Sequence, residues 1–209
     1  MQRGKFIVIE GLDGSGKGTQ IERLSEVLWA LGIPVITTAE PTDGYIGKHL
    51  REMLRDSDNK DMSLQASLFL ADRLDHLTNP ETGIYACLDN RITVICDRYY
   101  YSSFAYQGTA ADMDWVMDMN LNSPSMLKPD LCIFFDVEPE TCRERITQTR
   151  ENPELYEKDV GVMRSIRDNF HTVFERLKDS DNIKIIDANR DVDSISNDVL
   201  QIVLDVLNS

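Results

Sequence analysis

The chain has 209 residues, 42% of them apolar and 28% charged, with a formal net charge of −14. This is one domain's worth of ordinary globular composition, long enough to bury a core, and too acidic for a general nucleic-acid binder, which needs a basic footprint. The four cysteines, at 87, 96, 132 and 142, form no C-x-x-C pair, and neither a secretory leader nor a membrane-length apolar run is visible, so no zinc site, no membrane partner and a reduced cytoplasmic compartment are expected.

The first apolar run, Lys5-Phe-Ile-Val-Ile-Glu10, has strand length and β-branched character. Directly after it comes Gly11-Leu-Asp-Gly-Ser-Gly-Lys-Gly-Thr19, which contains the G-x-x-x-x-G-K core of a phosphate loop between a strand and an amphipathic helix. Gly11, Gly14 and Gly16 allow backbone angles that turn successive N–H groups, including that of Ser15, toward phosphate oxygens. The helix start adds its positive dipole end, and Lys17 reaches the β- and γ-phosphates of ATP. Where Ser or Thr commonly offers Mg²⁺ a hydroxyl, this chain has Gly18. Either Thr19, one position later, or water takes that coordination place.

The helix carries Ile21, Leu24, Val27, Leu28 and Leu31 on one face and stops at Gly32, with Pro34 beyond. A second strand is expected over Pro34–Thr38 and a helix over Leu64, Leu68, Ala71 and Leu74. A third strand covers Ile92–Cys96, a fourth Leu131–Asp136 and a fifth Ile183–Asp187. Two helical repeats flank the last: Val162, Ile166, Phe170, Val173, Leu177 and Ile195, Val199, Ile202, Val203, Val206. Continuous rather than alternating apolar runs suit strands covered on both faces. The order predicts an α/β fold, a doubly wound five-stranded parallel sheet of the P-loop NTPase type, as one domain over 1–209.

Asp97-Arg98-Tyr99 follows the third strand. An acid closing an apolar strand positions Mg²⁺ and its waters, and Arg98 beside it lies at the sheet edge where ligands bind. Asp136 closes the fourth strand and is the rival. Asp97 is preferred because Arg98 completes a phosphate-and-metal unit. Phe69 and Arg73 are four apart on one helix face, so a ring and a forked donor can stack a base and bond its edge. Because the overall charge repels polyanions, attraction must come from such focused cations and backbone N–H groups.

These features together resemble the thymidylate kinase family from end to end. They are the Gly-Leu-Asp-Gly-Ser-Gly-Lys loop, Glu40-Pro41-Thr42, Phe69 with Arg73, Asp97-Arg98-Tyr99, and Ser102-Ser-Phe-Ala-Tyr-Gln-Gly108. The resemblance implies a nucleoside monophosphate kinase that passes the ATP γ-phosphoryl group to dTMP with Mg²⁺, and a homodimer. Asp13 would contact the deoxyribose hydroxyl or the adjacent phosphate region, and Phe69 would stack on thymine. Arg73 would bond the exocyclic carbonyl, Ser103 would stand near the ring nitrogen, and Arg98 would hold the acceptor phosphate. Tyr106 would crowd the 2′ position, with Gln107 beside it, and Glu40 would line the acceptor site. A lid at about 143–158 would close over ATP. The P-loop holds no basic residue at its variable positions, so the lid should supply the catalytic arginine: Arg150 is the candidate, with Arg145 helping to hold the nucleotide. Two departures stand out. Ala39 replaces the arginine common before Glu-Pro, and Gly-Lys-Gly-Thr-Gln20 is closer to adenylate kinases. The rival readings are a kinase for dUMP or UMP/CMP, and a nucleotide-binding relative without turnover.

Overall fold

Strand β1 (Phe6–Gly11) is buried at every position and forms the centre of the sheet in the computed structural model, which describes residues 3–55, 61–149 and 159–208. It pairs with β3 (Thr93–Asp97) on one side and β4 (Leu131–Asp136) on the other. Strands β2 (Val35–Ala39) and β5 (Ile183–Asp187) form the edges, giving the order β2-β3-β1-β4-β5 with every pairing parallel. The five expected strands are therefore present, each within a residue of the apolar run that marked it. Coverage on both faces holds for β1, β3 and β4. At the edges only Val35 of β2 and Ile186 of β5 are buried.

Helices fill the crossovers: α1 (Lys17–Ala30), α2 (Tyr45–Arg55), α3 (Met62–Thr78), α4 (Ile84–Asp89), α5 (Tyr100–Gln107), α6 (Met113–Leu121), α7 (Pro139–Thr149), α8 (Val160–Leu177) and α9 (Val192–Leu207). Helix α8 buries the face its spacing marked, through Ile166, Phe170, Val173 and Leu177. Helix α1 buries Ile21, Leu24 and Leu28, but Val27 and Leu31 are exposed. Helix α3 departs further. In its expected apolar stripe Leu64 is exposed and Leu68, Ala71 and Leu74 are partly buried, while the side it buries fully carries Gln65, Asp72 and Arg73 beside Ala66 and Leu77. Those polar groups are not core filler, since burial of charge is costly unless it is paired.

Part of the acidity has a structural use. Asp61, Asp112, Asp159 and Asp191 accept backbone N–H bonds as N-caps of α3, α6, α8 and α9. Each satisfies N–H groups that the first turn leaves without partners, and its charge complements the helix dipole.

Candidate active site

The turn from β1 into α1 is held open by glycine. Gly14 (φ 79°) and Gly16 (φ 95°) are left-handed, and a Cβ on Gly14 would stand 2.4 Å from the Cys142 carbonyl oxygen. No side chain caps α1, so its first N–H groups point into the loop. Lys17 is buried and donates to the Gly11 and Leu12 carbonyls at 3.1 Å each. Its ammonium stands 3.9 Å from Asp97 Oδ1. That oxygen is buried and makes no hydrogen bond, as is true of Ser15 Oγ inside the loop. A hard carboxylate oxygen that no hydrogen bond occupies, beside a phosphate loop, fits Mg²⁺. Asp136 does not offer the same: Arg167 bonds it at 2.6 Å and His171 lies 3.3 Å away. Gly18 and Thr19 are both exposed on the first turn of α1, and space is open around Gly18, so packing does not explain the missing hydroxyl there.

Beyond Arg98 lies a cavity of about 130 Å³ that opens to solvent. Asp13, Glu40, Phe69, Arg73, Arg98, Ser103, Tyr106 and Gln107 all line it, which brings together every acceptor-side residue read from the sequence. Pro41, Leu54, Tyr99 and Ser102 complete the wall. At its base Arg73 donates to Glu40 (2.8 Å), Asn120 (2.6 Å) and Ser103 (3.1 Å), and its guanidinium lies 5.1 Å from the centre of the Tyr99 ring. Three of its five N–H groups are thus spent on orientation, and two remain for a ligand. Arg98 leaves β3 with φ 68° and donates to Asp13 (2.7 Å), Tyr106 (3.1 Å) and Ser102 (3.1 Å). It also lies 4.8 Å from the centre of the Tyr106 ring.

Three contributors were not singled out from the sequence. Asn120 on α6 is fully buried and fixes Arg73. His76, one turn after Arg73 on α3, bonds Glu40 (3.1 Å) and Thr38 (2.8 Å), which holds Glu40 from behind. With Cys96 these residues place three metal-type ligand atoms within 4.8 Å. Each is already engaged, the Cys96 thiol with the Arg98 carbonyl at 3.1 Å, so the cluster is a hydrogen-bonded support for the cavity. The third is Glu10, fully buried in β1 and bonded by Tyr99 N–H, Ser102 N–H and the Ser102 hydroxyl. Burial pushes its carboxyl up to about 7, against the opposing pull of Arg98, the Ser102 hydroxyl, the Tyr99 N–H and Lys17. The available signal was a lone acid ending an otherwise apolar strand.

On the nucleotide side, Arg145 on α7 reaches the Gly14 and Ala188 carbonyls at 3.4 and 3.3 Å, beneath the phosphate loop. Arg164 is ion-paired with Glu140, and Arg167 with Asp136 and Glu138. Arg150 and the rest of the expected lid from 150 to 158 lie outside the described residues.

A phosphate loop on the central strand, an acid on the neighbouring strand and a base-sized cavity across Arg98 define a P-loop protein of the nucleoside monophosphate kinase type. The family profile described as Thymidylate kinase matches residues 9–199. A probable thymidylate kinase of Pyrococcus abyssi is 35% identical over 207 residues, covering 96% of each chain. The thymidylate kinase of Mycoplasmoides gallisepticum is 36% identical, covering 97% of this chain and 95% of its own. That of Staphylococcus haemolyticus is 34% identical, covering 97% and 98%. The chain belongs to the thymidylate kinase family.

Proposed function

We propose that this protein transfers the γ-phosphoryl group of ATP to dTMP, giving ADP and dTDP. The observation that carries the reading is the cavity, in which Phe69, Arg73 and Ser103 surround a base-sized space while Arg98 stands between it and the phosphate loop. The attacking atom is a phosphate oxygen of dTMP, already anionic at neutral pH, so no general base is required. Its bond to the γ-phosphorus forms as the bond to the β,γ-bridging oxygen breaks, and that electron pair leaves on ADP. Lys17 leaves the loop carbonyls to meet the β- and γ-phosphates. Arg98 holds the acceptor phosphate in line, which replaces a bimolecular encounter with a positioned one. Asp97 would hold Mg²⁺ with the nucleotide, and the ion would neutralise phosphate charge. Asp13, bound to Arg98, reaches the sugar or phosphate region, and Tyr106 with Gln107 walls the sugar.

The reading includes one kinase domain over 1–209, a lid at about 143–158 carrying Arg150, a cytoplasmic setting and a homodimer. Unpaired cysteines are consistent with a reduced compartment, and no described helix is long and apolar enough to cross a membrane. Exposed Leu64 on α3, with exposed Trp115 and Leu121 on the adjoining α6, supports pairing of two copies. Phosphorus NMR of a mixture of protein, MgATP and dTMP tests the reaction. Loss of the dTMP monophosphate signal, with the two signals of dTDP appearing beside those of ADP and no inorganic phosphate, is expected. Hydrolysis of ATP to inorganic phosphate with dTMP unchanged would contradict it.

A further inference from the structure

Glu10 is a carboxylate in the centre of the sheet with no solvent exposure and, among the described residues, no ion-pair partner within 4.0 Å. Burial of such a group persists only where donors compensate it. All three donors come from one short segment that follows β3. Oε1 accepts the Tyr99 N–H (2.9 Å) and the Ser102 N–H (3.1 Å), and Oε2 accepts the Ser102 hydroxyl (2.6 Å). That segment begins α5. Its N-cap position is Tyr99, whose side chain makes no capping bond. The third N–H of the helix, Ser102, is the one an N-cap side chain normally satisfies. Glu10 supplies that cap from a distance, and its charge suits the dipole of the helix it caps. The same segment contains Arg98, a non-glycine residue at φ 68°, a conformation that persists only when its surroundings impose it. Arg98 in turn donates to the Ser102 hydroxyl that donates to Glu10.

We infer that Glu10 is the positioning residue of the acceptor-phosphate arginine, a remote cap that holds the start of α5 and the left-handed turn before it so that Arg98 faces the cavity. The inference rests on the proposed role of Arg98 toward dTMP. Glu10 does not line the cavity and touches no substrate, so its effect passes through Ser102 and Arg98. An amide at this position keeps one acceptor for the two N–H groups but turns an NH₂ donor toward a hydroxyl that already accepts from Arg98.

The test is a cycle of Glu10→Gln, Ser102→Ala and the double variant, with KM for dTMP and for ATP, kcat, and melting temperature measured for each. At about pH 8, where Glu10 is ionised, Glu10→Gln is expected to raise KM for dTMP about tenfold, the difference between a charge-assisted and a neutral hydrogen bond, and to leave KM for ATP within about twofold. The double variant is expected to be non-additive, because removal of the hydroxyl removes the donor-on-donor conflict. An unchanged KM for dTMP, KM values for both substrates rising together, or additive effects would overturn the inference. If the wild type phosphorylates no acceptor, the proposed reaction fails separately. The clasp is then judged by amide exchange at Tyr99 and Ser102, expected to speed up about tenfold in Glu10→Gln, and equal exchange in both proteins would refute it.

Discussion

Arg73 contributes to stability and, in the proposed function, to recognition of the base, and the two contributions can be separated. Its guanidinium is buried, bonds the buried Glu40 carboxylate at 2.8 Å, and adds bonds to Asn120 and Ser103. Replacing it with methionine leaves the Glu40 charge without its arginine partner in the interior, which costs about 3–5 kcal/mol. With a urea m-value of about 2–3 kcal/mol per molar for a chain of this size, the denaturation midpoint falls by roughly 1–2 M. Removing both charges, as Arg73→Met with Glu40→Gln, eliminates the unpaired ion, and about half or more of that loss returns. Recognition does not return, because the two N–H groups left for the base are gone in both variants. Urea denaturation followed by circular dichroism, with steady-state kinetics in dTMP, distinguishes these effects. The reasoning is refuted if the single variant unfolds within about 1 kcal/mol of wild type. It is equally refuted if the double variant is no more stable than the single one, or if either retains a normal KM for dTMP.

Phe69→Ala removes one wall of the base cavity and should raise KM for dTMP by roughly 5–150-fold, the worth of one base–aromatic stack, with KM for ATP unchanged in the same assay. The Glu10 carboxyl, raised by burial to about 7 from 4.5, keeps a proton that the unfolded chain releases, so unfolding free energy should fall as pH rises from about 4.5 to about 7 and level off above. The size is roughly 3 kcal/mol, read as the difference between wild-type and Glu10→Gln urea curves across that window. A flat difference would contradict the burial argument. Arg150→Ala, at the expected catalytic position of the lid, should lower kcat by at least about 10²-fold, by analogy with other arginines that meet the transferred phosphoryl group. A near-normal kcat would move that role elsewhere.

The strands and the phosphate loop were legible because their signals are local. A run such as Leu131–Asp136 has strand length and composition, and Gly11 to Thr19 carries its geometry in its glycines. The proposed acceptor residues follow only from the resemblance: nothing in the spacing of Phe69 and Arg73 separates a base platform from a surface face. Helix α3 shows why. Its periodic leucines mark a face that is only partly buried, because the side that folds fully inward is chosen by Glu40, Asn120 and Ser103, which reach Arg73 from elsewhere in the chain. The same limit hid Glu10, whose donors at Tyr99 and Ser102 lie on a different strand connection, and left Asp97 and Asp136 as rivals. What distinguishes those two is Arg167 and His171 arriving from α8, a contact no local pattern encodes.

The most direct test of the account is an ADP-release assay with MgATP and a panel of dTMP, dUMP, AMP, CMP and UMP beside a control without acceptor. The account predicts turnover dominated by dTMP, with dUMP the next acceptor, since one methyl group separates them by only about 1–3 kcal/mol. Turnover led by AMP or a pyrimidine ribonucleotide, or none above the control, would contradict it.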